Sequence, residues 1–103
     1  MNQERRYVGI ENDLNGGMTD TAKIIRDAWV FGIIPESETC EGWLAQGIED
    51  LWRKVDGEWE KYGFLVSNLP EDVRANFMRI HDAALKKAKA QGWEGDDELA
   101  GDD

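Results

Sequence analysis

Hydrophobic residues recur every three or four positions in three separate segments of the chain, and this spacing predicts three α-helices. The clearest segment runs from about Thr39 to Tyr62, with Gly63 as its expected end. Its charged residues fall opposite the apolar positions, so we expect this helix to pack through one face. The apolar positions are Leu44, Ile48, Leu51, Trp52, Val55, Trp59 and Tyr62.

The first predicted helix begins at Thr19 or Asp20, because either side chain can accept a hydrogen bond from a free backbone N–H of the first turn. Gly32 is its expected end, and Pro35 lies beyond it. The apolar positions of this helix are Ile24, Ile25, Ala28 and Trp29.

The third predicted helix begins near Leu69 or Pro70 and ends at about Gln91, with Gly92 closing it. Acidic residues follow the proline and basic residues precede the end, so both ends complement the helix dipole. Its apolar positions are Val73, Phe77, Ile80, Ala84 and Ala88.

The segment 7–10 is a short apolar run that precedes the first helix. It is expected either to strap over the helices or to form a minimal two-stranded element with residues 64–66. The predicted fold is therefore mainly α: a small three-helix bundle with an extended N-terminal arm and a disordered acidic C-terminal tail.

The chain has 103 residues, the length of one domain, and a formal net charge of -10. We assign residues 1–93 to a single helical domain and residues 94–103 to the tail, which holds many acids and no base. Such a segment buries too little apolar surface to offset the entropy of ordering. The tail either keeps the protein in solution or acts as a contact arm. As a contact arm, it binds a basic partner or lies over Lys86, Lys87 and Lys89 of the same chain.

Composition and charge exclude several functional classes. Clustered Lys and Arg are needed for binding to phosphate backbones, and this acidic chain lacks them, so no nucleic-acid partner is expected. No apolar run approaches the roughly 18 residues of a membrane span, and the N-terminus lacks the apolar stretch of a secretory signal. Since the chain also has a single cysteine, we expect a cytoplasmic protein without a membrane partner.

Cys40 and His81 are the candidates for thiol chemistry. Cys40 falls in or near the first turn of the second predicted helix, where free N–H groups favour a thiolate. The negative charges around it oppose a thiolate; they belong to Glu36, Glu38 and Glu41. His81 lies inside the apolar arc of the third helix. Each has a structural alternative, namely a buried small side chain for Cys40 and a hydrogen-bonded histidine at the core edge for His81.

The segment 11–16 resembles the opening of a calcium loop, with Glu11, Asp13 and Asn15 as weak metal candidates. The loop pattern fails at its twelfth position, where Ala22 replaces the bidentate Glu. A turn that leads into the first helix is the alternative. No glycine-rich nucleotide motif follows a clear strand, and no cofactor is expected.

Five tryptophans are present, and the helical phase places Trp29, Trp52 and Trp59 on buried faces. Trp43 points away from the main apolar stripe if the second helix is regular there. Large aromatic residues beside small ones are typical of contact surfaces. The interface candidates are Trp43, Gly42, Gly47 and Trp93; alternatively, Trp43 covers the N-terminal arm, and Trp93 anchors the chain end.

The sequence lacks a convergent set of catalytic residues, which favours a non-enzymatic function. The leading hypothesis is a small acidic interaction or accessory protein that binds a protein partner or forms a homo-oligomer. The alternative is a thiol-based redox-responsive protein centred on Cys40, and a weaker one is a metal or small-ligand carrier.

Overall fold

A computed structural model describes residues 6–14 and 18–92 of the chain. In these ranges the chain forms three α-helices and no β-strand, which confirms the predicted mainly helical fold. The predicted acidic tail at 94–103 lies outside the described residues. The helices are α1 (Asp20–Val30), α2 (Ala45–Glu60) and α3 (Glu71–Ala90).

The bounds of α1 follow from local chemistry, as predicted. The Thr19 hydroxyl accepts a hydrogen bond from the backbone N–H of Ala22 at 3.1 Å, so it caps the N-terminus. The chain leaves the helix after Val30, and Gly32 adopts a φ of +72° that favours glycine.

The bounds of α3 also agree with the prediction. Pro70 precedes the first turn, where Glu71 and Asp72 face the positive end of the helix dipole. Lys87 and Lys89 lie in the last turn, at the negative end. The helix ends at Ala90, so its acidic and basic ends are arranged as the dipole favours.

The predicted start of the second helix is wrong, because α2 begins at Ala45 and not near Thr39. Cys40 and Gly42 have φ values of +63° and +84°, which an α-helix cannot contain. Residues 39–44 instead form a turn that connects α1 to α2.

The N-terminal arm holds this turn in place. Tyr7 donates its backbone N–H to the Trp43 carbonyl at 2.8 Å and accepts from the Gly42 N–H at 2.8 Å. Ile10 donates to the Thr39 carbonyl at 3.1 Å. The arm therefore pairs with the turn before α2, in an isolated antiparallel bridge, and not with the expected segment 64–66.

Helix α1 lies at the centre of the fold and packs against both α2 and α3. Its two alanines at the contact, Ala22 and Ala28, are fully buried and let the neighbouring elements approach closely. The other members of the main buried cluster are Ile10, Ile25, Cys40, Leu51 and Val55.

Among the described residues, no helix has the length and apolar character that crossing a membrane requires.

Candidate functional site

Two tryptophans flank a shallow groove between the N-terminal arm and α2, which we call the tryptophan groove. Its volume is about 310 Å³. Trp43 is half-buried at one wall, whereas Trp52 is 38% exposed. The side chains that line the groove include Tyr7, Trp43, Ile48, Glu49 and Trp52.

Trp43 lines the groove from a different backbone position than the sequence predicted. It precedes α2, so the helical angle that placed it off the core face does not apply. A Cβ at Gly47 would lie 3.4 Å from the Trp43 ring, so Gly47 gives the indole room against the first turn of α2. Gly42 forms the preceding turn with its positive φ. Trp43 therefore both packs against the core and lines the groove.

The other tryptophans divide into structural and exposed ones. Trp29 and Trp59 are half-buried, and their indole N–H groups donate to the Glu38 carbonyl and to Asp27 Oδ2, each at 3.0 Å. Trp52 was expected on a buried face, and this prediction is wrong, because Trp52 is exposed whereas its neighbour Leu51 is buried. Trp93 lies outside the described residues.

Asp13 anchors the N-terminal arm. Its Oδ2 accepts hydrogen bonds from the Tyr7 hydroxyl at 2.6 Å and from the Thr19 hydroxyl. Burial and the bond to Asp13 raise the pKa of Tyr7, so the hydroxyl stays protonated and donates throughout the physiological range. Asp13 thus joins the arm to the cap of α1.

The metal candidates do not come together around an ion in the described part of the chain. Glu11 pairs with Lys87 at 3.4 Å, and Asp13 is occupied by the two hydroxyls. No cluster of three or more His, Cys, Asp or Glu residues suited to a metal occurs within 6–14 and 18–92. Asn15 lies outside these ranges.

Cys40 lies before α2 and not in its first turn, so the helix dipole does not act on the thiol as expected. Its side chain is fully buried in the main cluster. Burial, with a smaller contribution from the negative charge of Glu38, raises the pKa of Cys40 from 9.0 to about 11. The thiol is therefore protonated at neutral pH.

We expect Cys40 to react slowly with iodoacetamide in the folded protein at pH 8. A pKa raised from 9.0 to about 11 leaves about 100-fold fewer thiolates than in the unfolded chain, and burial slows access further. The measurement is the alkylation rate by mass spectrometry, with and without urea. Equal rates in the two conditions would contradict the buried, protonated thiol.

The same thiol gives stability a pH dependence of known sign. The folded state holds the Cys40 proton more tightly than the unfolded chain does. The contribution of Cys40 to the free energy of unfolding is therefore complete below pH 9.0 and is lost as the pH rises towards about 11. Urea unfolding across this range should show the loss. The raised pKa of Tyr7 also makes the folded protein lose stability at alkaline pH. The Cys40→Ala variant is therefore the control, and it should still lose stability at alkaline pH, but less than the wild type.

His81 belongs to a polar contact that joins all three helices. Its Nε2 lies 2.9 Å from Asp27 Oδ1, while Asp27 Oδ2 accepts from the Trp59 indole at 3.0 Å. The His81 ring also packs on Phe77, with ring centroids 4.2 Å apart. The side-chain partners of His81 are thus Asp27 and Phe77, and no hydrogen bond joins His81 to Cys40 in the described part of the chain.

A second concave surface lies between the arm, α1 and α3, and we call it the α1–α3 cavity. Its volume is about 210 Å³. Ile10, Trp29 and Ile80 supply apolar walls, and the side chain of Arg26, only 3% exposed, also contributes to the lining. Burial lowers the pKa of Arg26, while the negative charges of Asp27 and Asp13 act in the opposite direction.

Sequence reasoning missed Arg26 and Asp27. Arg26 carries a detectable signal, because it lies four residues after Ala22 and four before Val30, within the buried stripe of α1. A charged residue at such a position is rare unless it has charged or polar neighbours. Asp27 carries none, since a lone acid on a helix resembles any solvated side chain.

The tryptophan groove and the α1–α3 cavity have no lining residue in common. The groove is shallow and has two tryptophans in its lining, whereas the lining of the cavity includes the buried Arg26. No protein-family model, curated protein or solved structure matches the chain.

Proposed function

We propose that this protein is an interaction module that docks a basic segment of a protein partner in the tryptophan groove. The observation that carries the proposal is that Trp52, with its side chain exposed, lines the groove together with Trp43. Tryptophan is enriched among the residues that dominate binding energy at protein interfaces. A groove of about 310 Å³ has room for an apolar side chain of a partner.

Charge selects the class of partner. Glu49 is the one charged residue in the lining of the groove, within the part of the chain that the structure describes. The whole chain carries a net charge of -10, so bringing two copies together opposes like charges, whereas a basic segment is attracted. An apolar side chain flanked by Lys or Arg therefore fits the groove better than a second copy of this chain.

The proposed location is the cytoplasm. The single cysteine, Cys40, is a free buried thiol, so the fold needs no disulfide and no oxidising compartment.

The test uses a random-peptide display library selected on the full-length protein. We expect the enriched peptides to carry an aromatic or aliphatic residue next to Lys or Arg. Trp52→Ala should weaken their binding about tenfold or more, because it removes the exposed indole, as measured by calorimetry. Glu49→Gln should reduce the preference for basic peptides over neutral ones.

Met78→Ala is the matched control, since Met78 is another exposed apolar side chain on a helix and lies outside the groove lining. Both alanine variants should keep the helix content of the wild type by circular dichroism. Equal peptide affinity in Trp52→Ala and Met78→Ala would overturn the proposal. So would a native mass spectrum that shows a dimer which Trp52→Ala dissociates, because the second copy would then be the occupant.

A further inference from the structure

The α1–α3 cavity is a largely apolar recess that extends to the end of α3. Its apolar lining consists of Ile10, Trp29, Ile80, Ala83 and Ala84. A protein cavity of roughly 150 Å³ holds a benzene ring, and the α1–α3 cavity has a larger volume of about 210 Å³. It therefore has room for a bicyclic aromatic side chain.

The charged groups in the lining have opposite charges close to them. Lys87 pairs with Glu11 at 3.4 Å, and the negative charges of Asp27 and Asp13 act on Arg26. Burying a further charge beside these groups would cost free energy. The cavity therefore favours an uncharged, apolar occupant.

The backbone at the end of α3 has the geometry of a common helix stop. Gln91 follows the last residue of α3 and lines the cavity. Gly92 then adopts a φ of +95°, and its N–H donates to the Lys89 carbonyl at 3.0 Å. A glycine with a positive φ and this hydrogen bond are features of the Schellman motif. In this motif the residue after the glycine frequently makes an apolar contact with the last turns of the helix, and here that residue is Trp93.

Trp93 is close enough along the chain to enter the cavity. It comes two positions after Gln91, so the two Cα atoms are at most about 7 Å apart. The positions that a Schellman motif brings against it are Lys87, which lines the cavity, and Ala88, which is fully buried. So short a connection gives the indole an effective concentration on the order of mM, which favours it over a free ligand.

We propose that the α1–α3 cavity is the docking site of Trp93 of the same chain, with the indole ring against Ile10, Ile80 and Ala84. Docking removes the apolar surface of the ring and of the lining from water. A buried indole N–H needs an acceptor, and the side-chain amide oxygen of Gln91 in the lining can supply one. The docked ring holds the start of the acidic segment 94–103 at the end of α3.

The direct test is NMR of the full-length, carbon-13-labelled protein. We expect nuclear Overhauser effects between the indole protons of Trp93 and the methyl groups of Ile10, Ile80 and Ala84. The spectrum of Trp93→Ala identifies the indole signals. Absence of these effects would overturn the proposal. A mixture of labelled and unlabelled chains is the control for a second copy, because effects that join two different chains would show that the ring belongs to another molecule and would also overturn it.

A double-mutant cycle tests the same contact through stability. Trp93→Ala should lower the Tm by about 5 °C or more, since it removes a buried aromatic side chain. Ala84→Leu fills the cavity, so adding Trp93→Ala to it should change the Tm by only about 1 °C. Ala75→Leu is the matched control, because Ala75 is exposed on α3 and lies outside the lining. Trp93→Ala should keep its full effect when combined with Ala75→Leu.

Equal Tm losses from Trp93→Ala in the Ala84→Leu and Ala75→Leu backgrounds would contradict the docking. If Ala84→Leu does not fold, Ala83→Leu takes its place, because Ala83 is exposed and also lines the cavity. A small molecule that is retained in the native mass spectrum and lost in Ala84→Leu would identify a different occupant and would likewise refute the proposal.

Discussion

Replacing Asp27 by alanine is expected to lower the free energy of unfolding by about 2–4 kcal/mol. The carboxylate of α1 accepts from the Trp59 indole of α2 and contacts His81 Nε2 of α3, so its loss leaves both groups without this partner. It also removes a negative charge that supports the buried Arg26. The measurement is urea unfolding followed by tryptophan fluorescence and circular dichroism.

Two controls isolate the contacts of Asp27. Asp27 lies in the last turn of α1, where a negative charge opposes the helix dipole and alanine has the better helix propensity. Any net loss therefore reports the side-chain contacts and not the helix itself. Asp56→Ala, at an exposed position of α2, should change stability by about 0.5 kcal/mol or less. If Asp27→Ala lowered the free energy of unfolding no more than Asp56→Ala does, the prediction would be contradicted. The loss in Asp27→Asn should lie between the losses in these two variants.

Replacing Ile25 by alanine is expected to cost about 3–4 kcal/mol, because its side chain is fully buried in the main cluster. Ile25 lies on the helix that packs against both others, so the surroundings have little freedom to fill the space. Thermal unfolding should show a fall in Tm of about 15 °C or more for a domain of this size.

The neighbouring residue provides the matched control for Ile25. Ile24 has the same side chain on the same helix but is only half-buried at the edge of the cluster. Ile24→Ala should cost about 1–2 kcal/mol, since less apolar surface is lost from the interior. Equal costs at the two positions would show that α1 is not packed as described.

The helix content was predictable where local chemistry decides it. Thr19 caps α1 through its own side chain, and the glycines that follow α1 and α3 take positive φ values. These signals act between residues a few positions apart. Residues close to each other in the sequence are therefore enough to predict the start of α1 and both ends of α3.

The start of α2 was not predictable from the same signals. Apolar residues continue at helical spacing towards Thr39, yet Cys40 has a left-handed backbone conformation. Hydrogen bonds from Tyr7 and Ile10, more than 28 residues earlier in the chain, hold the turn. Local periodicity does not contain such distant partners, and tertiary contacts override it.

The candidate surfaces were predictable only in part. The interface prediction for Trp43 depends on a helical angle that the residue does not have, although Trp43 does line a groove. Trp52 looked buried, because sequence phase does not show where the contact between two helices ends. The α1–α3 cavity depends on Arg26 and on residues of α3 that meet only in the folded chain.

The docking of the N-terminal arm has a consequence for binding in the groove. Tyr7 lines the tryptophan groove, and its backbone pairs with Gly42 and Trp43 while its hydroxyl binds Asp13. One wall of the groove is therefore complete only when the arm is docked. A peptide that contacts Tyr7 therefore stabilises the docked arm. Because linkage between two equilibria is reciprocal, the docked arm strengthens peptide binding by the same free energy.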